Sequence, residues 1–328
     1  VTRSFPRDPS SRLVRISPPG NDASATLDVV FVHGLGGSID TTWGAGESTW
    51  LHWLSDDHPG AVIWSLGYPA AATKWTDRGS GMSLPDRVPT LIDRLRDNGI
   101  GSRKVAFVCH SLGGLIVKQM LRHAEGVQLL DIQTISTSTM GVAFLATPHS
   151  GSTLATFIGT VGPARPTLTT LSLRAHCSHL EELGNWYRQN AGALGIQTVA
   201  YRETRKTRRW FGAVLVVNPT SANPGITDCV TTPIDADHSS IAKPQDRDAD
   251  VYLGISRFIT RLQDRAASEQ DAKAESGLNS LESAITPPAD LVEKIREIDA
   301  MKDMGLITSG EVAEVRTGIL YKHYGILQ

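Results

Sequence analysis

Ser111 sits where two different apolar patterns meet. Lys104–Cys109 reads as a buried strand, Leu112–Ala124 reads as a helix, and no loop separates them. A serine at such a corner is driven into a strained backbone conformation, and its hydroxyl stands clear of the sheet, where it can attack a carbonyl. The chain folds back there only if small residues lie two before and two after the serine. Gly113 meets that need, and Cys109 takes the place of the usual glycine in G-x-S-x-G. The helix N-terminus opening at Leu112 favours the negative charge that develops during attack.

A serine nucleophile needs a base, an acid to orient the base, and donors for the oxyanion. In the fold that carries this strand–serine–helix turn, the chain order is nucleophile, acid, histidine. Among ten histidines, His238 follows the apolar run Ala213–Asn218 and precedes a helix beginning at Asp250, which is where the base belongs. His149, in the string from Thr147 to Ser152, is its competitor, because it ends a neighbouring strand. His110 adjoins the nucleophile and must point elsewhere. The acid should close the preceding strand, which places Glu203 there, with Asp228 and Asp235 as alternatives and Asp237 least suited because adjacent side chains diverge. A surface ion pair with Arg205 or Arg208 is the other reading of Glu203. The run Val29–Val32 ends in His33-Gly34-Leu35-Gly36-Gly37, and the backbone N–H groups of Leu35 and Leu112 are the expected oxyanion donors. His33 would brace that loop. With Gly34, Gly36, His110 and His149 it is also a candidate for the substrate pocket. No phosphate-binding glycine string is present.

The expected chemistry is cleavage of a carboxylic ester through an acyl-enzyme on Ser111, with activity rising through neutral pH as the imidazole loses its proton. It calls for no metal and no cofactor, and three scattered cysteines are too few for a zinc site or a disulfide framework. An amidase or peptidase would use the same three side chains. A non-catalytic receptor or scaffold is the remaining reading, since fold alone does not exclude it.

These side chains must be positioned by a layered fold. Leu27–His33, Ala61–Tyr68, Lys104–Cys109, Gly141–Thr147 and Ile196–Tyr201 are apolar without alternation, as in a parallel sheet covered on both faces. Ala213–Asn218 reads as a sixth strand and Leu13–Ser17 as an opening one. Between them, Thr49–Ser55, Pro85–Asn98, Leu112–Ala124, His179–Asn190 and Asp250–Arg265 have helical spacing. The alternation predicts an α/β-hydrolase fold, a mostly parallel doubly wound sheet. Residues 1–12 read as a polar tail, 13–262 as the hydrolase domain with a cap or lid candidate at 153–195, 263–289 as a linker, and 290–328 as a two-helix appendage. In the appendage, Gly305 offers a helix stop and Thr308 and Glu311 have capping-box spacing. So small a unit should dock or self-associate.

The net charge of −2 supplies no global attraction to nucleic acid. With no run of about 18 apolar residues and no signal peptide, the chain reads as cytoplasmic. Arg202, Arg205, Lys206, Arg208 and Arg209 lead into Trp210 and Phe211, a basic, aromatic loop suited to peripheral contact with anionic membrane. Solvated charge is the other reading.

Together, Phe31–Gly37, Cys109–Lys118, Phe144–Ser152, Tyr201–Thr204 and Ala236–His238 resemble the SERAC1-like and PGAP1-like (DUF676-type) lipases and esterases, over about residues 27–260. The resemblance implies lipid or other acyl-ester substrates, with Ser111, Glu203 and His238 as triad. The C-terminal helices resemble the SHOCT domain.

Overall fold

The computed structural model describes residues 11–20, 24–44, 49–70, 84–150, 177–209, 212–285 and 289–324. The chain divides into two compact units, Val1–Ala267 and Ser268–Gln328.

In the first unit the strands are β1 (Arg12–Arg15), β2 (Leu27–Val32), β3 (Ala61–Gly67), β4 (Lys104–His110), β5 (Thr139–Leu145), β6 (Gln197–Glu203), β7 (Thr207–Arg209), β8 (Gly212–Val214) and β9 (Thr231–Ile234). Seven of them form one sheet in the order β1-β3-β2-β4-β5-β6-β9, and β7 and β8 pair separately. All neighbours in the sheet are parallel except β1, which lies antiparallel on β3. The non-alternating runs follow from burial on both faces. Val30 and Val32 of β2 enter one core with Phe107 and Cys109, while Val29 and Phe31 enter the other with Ala106 and Val108. Helices α3 (Leu84–Asp97), α4 (Leu112–Gly126), α5 (Leu130–Ser138) and α6 (Cys177–Asn190) supply the first core. Helices α2 (Trp50–Asp57) and α7 (Asp250–Ile285) supply the second, and a short α1 (Ile39–Thr42) follows β2. Each fully buried Val, Leu or Phe contributes about 1.5–3 kcal/mol. The parallel arrangement gathers the carboxyl ends of β2, β4, β6 and β9 along one edge, where open α/β sheets carry their sites.

Two expectations about strands are corrected, and two segments take a more definite form. Ala213–Asn218 is not a sheet strand: Gly212–Val214 pairs antiparallel with Thr207–Arg209 as a hairpin, and the Val216 and Val217 N–H groups turn to the Glu203 carboxylate. The last sheet strand is β9, paired with β6, which sequence patterning passes over because Thr-Thr-Pro-Ile is short, polar and interrupted by Pro233. The segment read as a linker, 263–289, is helical up to Ile285 as the continuation of α7, because its Ala, Glu and Gln are strong helix formers and the first proline comes only at Pro287. Of the cap candidate 153–195, residues 153–176 lie outside the described residues. Its later part is α6, fixed in the sheet core through Leu183 and Tyr187, with the Tyr187 hydroxyl 2.9 Å from Thr198 Oγ1.

In the second unit α8 (Ala289–Asp303) and α9 (Ser309–Tyr324) are joined by a turn through Gly305, whose φ of 71° suits the residue without a Cβ. The capping box forms as expected: the Thr308 N–H donates to Glu311 Oε2 at 2.8 Å, and the Glu311 N–H returns to Thr308 Oγ1 at 3.4 Å. Arg316 pairs with Asp299 across the two helices at 2.6 Å.

Candidate active site

The turn from β4 into α4 holds Ser111 at φ 53° and ψ −121°, a region that costs a non-glycine residue about 1–3 kcal/mol. Close packing enforces it. A Cβ on Gly113 would stand 2.2 Å from the Val32 carbonyl oxygen, and one on Gly114 would stand 2.4 Å from Thr147 Oγ1. The first turn of α4 can lie this tightly on β2 and the β5 exit only without side chains there. Cys109 lies in the core, and burial pushes its thiol well above the ordinary range.

Three side chains, far apart in the chain, meet at the turn. The Ser111 hydroxyl lies 3.0 Å from His238 Nε2. On the other side of the ring, His238 Nδ1 lies 2.5 Å from Glu203 Oε2. Glu203 Oε1 accepts the N–H groups of Val216 and Val217 at 2.6 and 3.0 Å. The carboxylate therefore places the imidazole proton on Nδ1, so that Nε2 can accept the serine proton. All three residues are buried, so the hydrogen bonds act in a medium that screens them weakly. Glu203 is thus no surface partner of the arginines: Arg205 forms its ion pair with Asp235. Asp237 accepts the N–H groups of Ser239 and Ser240, and Asp228 is exposed.

The β2 exit loop lies against the nucleophile, since a Cβ on Gly34 would meet Ser111 Cβ at 2.7 Å. The Gly36 N–H is taken by the Ala70 carbonyl and the Gly37 N–H by the Gly34 carbonyl, and no backbone acceptor among the described residues meets the Leu35 N–H. Leu112, as the first residue of α4, has no acceptor within its helix. A cavity of about 170 Å³ is lined by Leu35, Gly36, Thr41, His110, His238 and Lys243 among others.

His33, Gly34 and His149 do not line this cavity. His33 is stacked on Tyr68 with ring centroids 4.3 Å apart, accepts the Tyr68 N–H at Nε2, and donates from Nδ1 to the Gly34 carbonyl. With both nitrogens engaged it braces the loop, and burial holds its pKa down to about 4. His110, which lines the cavity, donates from Nε2 to the His238 carbonyl at 2.7 Å. Burial, and then the nearby His238, lower its pKa to about 3. His149 lies against Lys118, 2.8 Å from Nδ1 to Nζ, and edge-on to Phe144. Burial, aided by Arg188, lowers the pKa of that lysine to about 7. Tyr68, Lys118, Thr207 and the two valines carried no sequence signal except Lys118, a charge inside the buried run Leu115–Leu121. Of the basic loop, Lys206 and Arg208 are exposed, Arg202 is half-buried, and Trp210 and Phe211 lie outside the described residues. Among the described residues no helix is long and apolar enough to cross a membrane.

The arrangement can perform acyl transfer: a hydroxyl on a base and an acid on the base, at the N-terminus of a helix.

Residues 25–161 match the family model described as "Putative serine esterase (DUF676)". Protein SERAC1 from Bos taurus and Protein SERAC1 from Homo sapiens are each 30% identical over 256 residues, which cover 71% of this chain and 38% of that protein. The chain thus spans well under half the length of the curated relatives it matches. Among solved structures, phospholipase PlaB from Legionella pneumophila superposes with a TM-score of 0.53 at 15% identity, over 71% of this chain and 59% of that one. At that identity the likeness shows the fold.

Proposed function

We propose that this chain, which carries a SERAC1-like α/β-hydrolase domain, cleaves a carboxylic ester through an acyl-enzyme on Ser111. The observation that carries the reading is the continuous hydrogen-bonded path from Glu203 through His238 to Ser111, anchored at its far end by two backbone N–H groups. His238 Nε2 takes the hydroxyl proton as Ser111 Oγ bonds to the ester carbonyl carbon. The oxyanion is met by the Leu35 and Leu112 N–H groups. The carbon–oxygen bond to the alcohol then breaks, and the alcohol leaves with the proton from His238. Water repeats the sequence on the acyl-enzyme: His238 takes its proton, the carboxylic acid departs, and the proton returns to Ser111. Glu203 stabilises the imidazolium without taking its proton.

A lipid or other acyl ester is the substrate class this reading favours. Support comes from the resemblance of the motifs to lipases and esterases, and from a solved neighbour that is named as a phospholipase. The test is fluorophosphonate labelling of the wild type and of Ser111→Ala, followed by p-nitrophenyl esters of graded chain length. Labelling and ester turnover should both vanish in the alanine variant. A folded wild type that neither labels nor turns over any ester would end the proposal, in favour of a receptor or scaffold.

A further inference from the structure

His238 belongs to a segment that is neither strand nor helix, between β9 and the short 3₁₀ turn Ser240–Ala242. It lies outside the sheet ladders yet is buried, so its main-chain N–H and C=O both require hydrogen-bond partners. A buried backbone group without a partner is strongly disfavoured. Side chains supply both partners here. The His238 N–H donates to Thr207 Oγ1 at 3.2 Å, and the His238 C=O accepts from His110 Nε2 at 2.7 Å.

We propose that Thr207 and His110 are positioning residues for His238, each holding one polar group of its main chain, and that Thr207 couples the β7–β8 hairpin to the site. This rests on the reading of His238 as the base. His110 adjoins the nucleophile, so one tether ties the base to the residue before Ser111. Thr207 opens β7. The chain leaving β8 returns through Val216 and Val217 to Glu203. One excursion of the chain, 207–217, thus grips the base at its first residue and the acid at its last. Neither grip involves the reacting atoms. Further stitching lies at the hairpin's foot: the Thr204 N–H donates to the Ile234 and Ala236 carbonyls, and the Arg205 N–H donates to that of Ala236.

The consequence is specific. Thr207→Val keeps shape and burial but removes the acceptor. The His238 N–H loses its hydrogen bond to Oγ1, and the imidazole shifts with its backbone. A full ångström of misplacement costs about 10²-fold in rate, so a partial one should lower kcat on the order of 10-fold with KM unchanged. Thr207→Ser restores the acceptor and should restore kcat. A structural readout independent of turnover is the low-field proton resonance of His238 Nδ1–H, assigned by its loss in His238→Ala. It should move or broaden in Thr207→Val and return in Thr207→Ser. Should the valine variant unfold, Thr207→Cys, a weak acceptor of similar size, gives the same reading. A valine or cysteine variant with the resonance in its wild-type position would overturn the inference. So would one within twofold of the wild-type kcat. A wild type that shows the resonance but never labels with fluorophosphonate would count against the hydrolase reading instead, and the resonance comparison would still decide the role of Thr207.

Discussion

Glu203→Gln is the most informative perturbation of the site, because glutamine has the same shape and its two orientations have different costs. In the first, the amide oxygen replaces Oε1 and keeps the Val216 and Val217 N–H groups, now 2.6 and 3.0 Å away. The amide NH2 then faces His238 Nδ1, the ring must accept there, and the proton moves to Nε2. Ser111, 3.0 Å from that nitrogen, meets a donor and loses its base. In the second, the amide oxygen faces His238 and the correct tautomer survives, but NH2 opposes two buried N–H groups. Each unsatisfied donor costs about 1–3 kcal/mol, so this orientation is disfavoured by roughly 2–6 kcal/mol. At about 1.4 kcal/mol per decade, that predicts a fall in kcat of roughly 30- to 20,000-fold. The upper part of that range is favoured, because the charge that stabilises the imidazolium is also gone; amide replacement of a triad carboxylate elsewhere, which leaves the wrong tautomer, costs about 10⁴ in all. The assay is steady-state hydrolysis of a p-nitrophenyl ester beside the rate of fluorophosphonate labelling, with thermal unfolding to show that the variant is folded. A folded Glu203→Gln within tenfold of the wild type would refute the assignment of the acid.

Two further outcomes follow from the packing. Burial holds His33 and His110 at about 4 and about 3, against an ordinary 6.5. Between those values the unfolded chain binds protons that the folded chain does not, so stability is retained above pH 6.5 and lost as pH falls toward 4. Thermal unfolding at pH 4.5 should show a loss of up to about 3 kcal/mol per histidine relative to pH 7, with a shallower slope in His110→Gln. A flat profile would mean these rings titrate normally. Gly34→Ala places a methyl 2.7 Å from Ser111 Cβ and 3.1 Å from His110 Nδ1, so kcat should drop about 10²-fold and stability by about 1–3 kcal/mol. Gly192→Ala, which meets nothing within 4 Å, is the control and should stay within about 0.5 kcal/mol. Equal behaviour of the two variants in both assays would contradict the close approach of the β2 exit loop to the nucleophile.

The parallel sheet was legible because its strands are covered on both faces, so Leu27–His33 or Lys104–Cys109 can hardly be read otherwise. The three residues that meet at the turn were legible through local pattern and chain order: an apolar run, a serine, small residues, then a carboxylate and a histidine behind later strands. The last strand was not, because β9 lies at an edge, with most of its side chains outside the core, and contains Pro233. The hairpin 207–214 was hidden for a different reason. Its apolar residues Val214–Val217 look like a strand, but the backbone at 216 and 217 is engaged by a side chain 13 and 14 residues earlier, and no periodicity records that. Thr207 left no mark either, since a lone threonine in a basic stretch has no distinguishing spacing. The helical spacing of α7 fades after Arg265, where amphipathic character is lost, although helix propensity persists to Ile285 without an apolar face.

The margins of the sheet set a limit on how copies of this protein can associate. Among the described strands one border is β1, four residues long, laid antiparallel and beginning and ending in Arg12 and Arg15. The other is β9, also four residues, whose Pro233 lacks the hydrogen that an added strand would need. Short, charged or proline-bearing borders are poor templates for an incoming strand. Among the described residues the sheet therefore offers poor places for strand addition, which disfavours edge-to-edge pairing of copies.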